Sequence, residues 1–123
     1  MFEILPESTN DYMGFKVGGK LTADDYAELL PKIDEAIAAS GRINMVVVID
    51  QPEGWDGLDA AKADYKFGTR EYRQVERCAF VSDKKWFKWV VKLMDPFTRR
   101  TDEKFFEPTE LDQAWAWARG KEG

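Results

Sequence analysis

The run Ile43-Asn44-Met45-Val46-Val47-Val48-Ile49-Asp50 constrains this chain most. It is too short for an ordinary buried helix and is rich in β-branched side chains, so it reads as a strand. Unbroken apolar runs belong to strands covered on both faces. A sheet centre is therefore expected here, with Val46, Val47, Val48 and Ile49 fully buried and helices on either side.

The rest of the chain arranges itself around that strand. Residues 2–5 read as a short strand closed by Pro6. Over 12–17, Met13, Phe15 and Val17 alternate with Gly14 and Lys16, the period of a half-buried strand, and the two should pair as a hairpin. Thr22-Ala23-Asp24-Asp25 has capping-box spacing, and the helix behind it presents Tyr26, Leu29, Leu30, Ile33 and Ile37 on one face. Pro31 should bend this helix and Gly41 should stop it. Helices are predicted over 58–72 and 84–94, the latter capped by Ser82 or Asp83, and strands over 75–81 and 100–106. The charges of the last suit a sheet edge. A second capping box within 108–112 opens a final helix that ends at Gly120. The expected α/β fold is a single mixed, mostly parallel sheet of about five strands packed with four helices, in the order ββαβαβαβα. Residues 1–123 read as one domain.

Hydrophobic residues at 44% with 33% charged argue for a packed globule over a disordered chain. No apolar stretch approaches the roughly 20 residues that span a bilayer, and the N-terminus lacks a signal-peptide pattern. Cys78 is the lone cysteine and can form no internal disulfide, which suits the cytoplasm. The chain has no His, which removes Ser-His and Cys-His nucleophile pairs and the commonest zinc ligand. Cys78, mid-strand, reads as a small buried hydrophobe. Gly18-Gly19-Lys20-Leu21-Thr22 lacks P-loop spacing. Asp50, Glu53, Asp56 and Asp59 could supply oxygen ligands to Mg²⁺ or Ca²⁺. A solvated loop with Asp56 or Asp59 as helix cap is the preferred reading. No catalytic residue, metal or cofactor is expected, and the chain reads as a non-enzyme.

Several spaced motifs resemble the SpoIIAA-like proteins: Gly19-Lys20-Leu21-Thr22 with Asp25-Tyr26, the Gly54-Trp55 loop, Lys84-Lys85-Trp86, Asp95-Pro96-Phe97, and Ala114 to Trp117. The resemblance implies a STAS-related fold, distantly similar to the lipid-carrying CRAL-TRIO domains. STAS antagonists of anti-sigma factors carry a phosphorylatable hydroxyl just after the central strand. Residues 50–59 here contain no Ser, Thr or Tyr, so that switch does not carry over.

The net charge of −5 speaks against a nucleic-acid partner. Yet residues 62–100 carry +6 and the remainder −11, so the middle of the chain suits an anion. At about 100° per residue, Trp86, Phe87, Trp89, Val90, Val91, Leu93 and Met94 cover an arc of about 200° on the third helix, with Lys84, Lys85, Lys88 and Lys92 on the rest. A sheet-facing helix needs about half that arc. The surplus meets a neighbouring helix, a second subunit, or a greasy ligand or membrane surface, and the sequence leaves the three open. Trp55, between Gly54 and Asp56 in a loop with Pro52 and Gly57, belongs either to the core or to a pocket mouth. The expected function is a binding module for a small apolar or amphipathic anion, lipid-like or fatty-acid-like. Trp55, Trp86, Phe87 and Trp89 would give the apolar contact, and Lys84, Lys85 and Lys88 the charge. The alternative is a STAS-type protein-interaction module, dimeric through the third helix.

Overall fold

The structure, a computed structural model, describes residues 2–9, 11–55, 57, 62, 75–87 and 102–120, the Trp55 side chain excepted. The strands are β1 (Phe2–Ile4), β2 (Tyr12–Leu21), β3 (Ile43–Trp55), β4 (Val75–Ser82) and β5 (Asp102–Phe106). Among the described residues the α-helices are α1 (Ala23–Ser40) and α2 (Leu111–Ala118), with 3₁₀ turns at Lys84–Trp86 and Pro108–Glu110. Spatial order follows chain order. β1 is antiparallel to β2, and every later neighbour pair is parallel. The mixed, mostly parallel sheet of five strands is the one expected, with the Ile43 run at its centre and the charged strand at one edge. Of the predicted helix at 58–72 only residue 62 is described, and it is helical. Residues 88–94 also lie outside the described set, so the expected count of four helices reaches beyond it.

Alternation along each strand sorts the core into two layers. Met45, Val47 and Ile49 join Phe15, Cys78 and Phe80 under Tyr26, Leu29, Ile33 and Ala36 of α1. Val46, Ala79, Val81 and Phe106 pack on the other face against Ala114, Trp115 and Ala118 of α2. Val48 is only partly buried, contrary to expectation, because it faces the α2 side beside Lys16, its register partner, where the layer thins into a crevice. Leu30 and Ile37 are likewise partly buried, and Ala36 takes the fully buried place on α1. Cys78 is a fully buried core residue.

The caps follow side-chain chemistry. Asp25 N–H donates to Thr22 Oγ1 at 3.1 Å, and Thr22 N–H to Asp25 Oδ2 at 2.9 Å. The second box starts just before the expected 108–112: Glu107 N–H donates to Glu110 Oε1 at 2.8 Å, and a 3₁₀ turn precedes α2. Pro108, with its fixed φ and missing N–H, suits the first position of that turn.

Two strand ends differ from expectation. β2 runs on through Gly18-Gly19 to Leu21, and β3 runs on through Pro52 and Gly54 to Trp55, pairing Lys20 with Gly54 and Leu21 with Trp55. The glycines and proline read as breakers, but register shifts around Gly19 absorb them, and Gly19 and Gly54 take positive φ. The Gly54-Trp55 segment is therefore strand and not loop.

Candidate functional site

A step in the sheet creates a crevice. β4 stops at Ser82, opposite Ile49, whereas β3 continues to Trp55. At this step Gln51 adopts a left-handed backbone, φ 48°, the one non-glycine to do so among the described residues. Such conformations are costly for a residue with a Cβ, and they gather at ligand sites. Open α/β sheets bind ligands just outside the carboxyl ends of their parallel strands, which is where this step lies.

The crevice is open to solvent and has a volume of about 680 Å³. Val48, Ile49, Val81, Trp86 and Pro108 supply its apolar wall. Lys16, Lys85, Asp50, Asp83 and Gln51 supply its polar groups. The turn after β4 is built to hold Trp86 in place: Asp83 Oδ1 accepts the Lys85 N–H at 3.1 Å, and the Asp83 carbonyl accepts both the Trp86 N–H and the Ser82 hydroxyl at 3.0 Å. Of the two caps predicted here, Asp83 is the one used. Trp86 packs partly buried against the α1-side core, and the Lys85 ammonium lies 5.2 Å from its ring centroid. That geometry is a cation–π contact, which keeps the charge at the crevice rim.

On the opposite wall, the Lys16 ammonium stands 3.6 Å from Asp50 Oδ2, with both side chains partly exposed. In register, Lys16 faces Val48 and Asp50 faces Gly18, so the pair is a diagonal contact on one face of adjacent strands. The acidic group weighed as a metal site thus has Asp50 beside a lysine, while Asp56 and Asp59 lie outside the described residues. No group of three or more metal-binding side chains occurs among the described residues.

Of the residues singled out from sequence, Lys85 and Trp86 line the crevice. Lys84 instead pairs with Glu107 at 3.5 Å beside a smaller notch. Phe87 lies outside the crevice wall, half-exposed at 51%, with its ring edge-on to Phe105 at 5.6 Å. The backbone of Trp55 ends β3, while Lys88 and Trp89 are outside the described residues. Lys16, Val48 and Gln51 were missed. Lys16 carried a usable signal: it occupies the polar phase of an otherwise apolar alternation, the phase that the parallel register places beside Val48.

The family model for SpoIIAA-like proteins matches residues 12–119. A solved structure of an uncharacterized protein from Shewanella loihica PV-4, with a SpoIIAA-like fold, is similar at 30% identity and TM-score 0.72, covering 96% of this chain and 92% of that one. No protein with a curated description matches. No helix among the described residues is long and apolar enough to cross a membrane.

Proposed function

The chain belongs to the SpoIIAA-like family, and on that premise we propose that it is a non-catalytic binding module whose crevice takes a small amphipathic, lipid-like or fatty-acid-like anion. One observation carries the reading. Where β4 ends, an apolar wall of Val48, Val81 and Trp86 stands beside two ammonium groups, Lys16 and Lys85. Apolar clefts with a few placed polar groups are the usual form of a small-molecule site. The wall would remove a tail from water, and the ammoniums would hold an anionic head.

Native mass spectrometry of freshly purified protein, before and after organic extraction, tests this. A bound adduct that extraction removes, and that added dodecanoate restores, is the expected result. Protein that is empty as purified and takes up no dodecanoate would overturn it.

A second reading, a STAS-type protein-interaction module working as a homodimer, has the half-exposed ring of Phe87 in its favour. Phe87→Asp should then convert a dimer to a folded monomer by light scattering. A wild type that is already monomeric removes this reading.

A further inference from the structure

We infer that Lys16 is the seat for the ligand's anionic group and that Asp50 is its built-in competitor, the residue that sets how strongly the crevice prefers anions. The inference deepens the crevice reading and rests on it. Among the described residues, four charged side chains line the crevice: Lys16, Lys85, Asp50 and Asp83. Asp83 is committed to its turn, accepting the Lys85 N–H at 3.1 Å. Lys85 rests over the Trp86 ring, and among the described residues it has no carboxylate partner. Lys16 projects from the middle of β2, a rigid position, and its contact is Asp50 at 3.6 Å.

That pair is partly exposed, with side-chain exposures of 39% and 49%, so it is weakly held and easily exchanged. An incoming carboxylate, sulfonate or phosphate can replace Asp50 at the lysine. Asp50 cannot leave, however, because β3 anchors it beside the seat. Its charge therefore opposes every anion that binds there and leaves neutral ligands unaffected. At partly solvated separations of about 6 Å, removing one such charge changes affinity by roughly threefold to tenfold.

The test uses 1-anilinonaphthalene-8-sulfonate as an amphipathic anion and Nile red as a neutral probe, titrated into the whole chain. Asp50→Asn should tighten the sulfonate dye roughly threefold to tenfold at low salt, with a smaller gain at 0.5 M salt because of screening. Nile red affinity should not move. Lys16→Gln should weaken the dye, and in the double variant the gain from Asp50→Asn should be smaller, because the anion is then held less closely to position 50. If the wild type binds the dye saturably and Asp50→Asn binds it no tighter, the competitor role is refuted while the crevice reading stands. If Asp50→Asn tightens both probes equally, the effect is one of shape and the inference fails. Saturable binding by neither protein overturns the seat and the crevice reading together.

Discussion

Gly14 on β2 lies directly beneath the indole of Trp115. A Cβ at this position would stand 2.5 Å from Trp115 Cζ2, 2.6 Å from Cη2 and 3.0 Å from Leu5 Cδ1. A buried ring bedded between sheet and helix cannot yield that much without shifting α2. Gly14→Ala should therefore cost about 1–3 kcal/mol, as overpacked cores do, read as a lower midpoint in urea. A variant as stable as the wild type would show that α2 moves freely. Nothing in the local sequence announces this contact, because its partners are a hundred positions apart in the chain. The Thr22–Asp25 box is the opposite case, legible from spacing alone since both partners lie within one turn. Burial pushes the Asp25 carboxyl up, but hydrogen bonds to its ionised form, led by the Thr22 N–H, help to hold it below the ordinary 3.8. A depressed carboxylate stabilises the fold above its ordinary pKa, and that contribution is lost as pH falls through the folded value. The stability gap between wild type and Asp25→Asn should thus be present at pH 6 and shrink below about pH 4. A gap independent of pH would mean that the charge of Asp25 contributes nothing.

At the scale of elements, β3 carries the sheet. Val47 is 8% exposed and lies between Phe15 and Phe80 in register. Val47→Asp leaves a carboxylate buried without a partner, a cost of several kcal/mol against the roughly 5–15 kcal/mol that holds a domain. The variant should be insoluble or unfolded by circular dichroism. A folded Val47→Asp protein would contradict the central strand. The strand cores were legible because apolar period reports which faces are covered. Their ends were not. Gly18-Gly19, Pro52 and Gly54 carry the local chemistry of turns, and only pairing with a neighbouring strand converts them into bulges. That concealed extension matters for function, since the crevice exists because β3 outruns β4. The 3₁₀ turn at Lys84–Trp86 runs into a helical Phe87, in keeping with a helix starting here, but a helical period alone does not separate Lys84 and Phe87 from Lys85 and Trp86. The structure instead gives Lys84 to Glu107 and Phe87 to Phe105.

Across the whole molecule, the crevice joins segments that differ in charge. Lys85 and Trp86 come from the basic middle of the chain, and Lys16, Asp50 and Gln51 from its acidic first half. Half of the site was therefore visible in the sequence as a basic aromatic cluster. The other half required the parallel register of β2 and β3, which no local pattern encodes. The central claim is that this composite crevice is where an amphipathic anion binds. Two-dimensional NMR of the labelled chain titrated with sodium decanoate tests it most directly. The account predicts saturable amide shifts concentrated at Lys16, Val48, Asp50, Gln51, Val81 and Lys85, with little change at the opposite end of the sheet, where Ile43 and Val75 begin their strands. Shifts centred elsewhere, or none at millimolar decanoate, would contradict it.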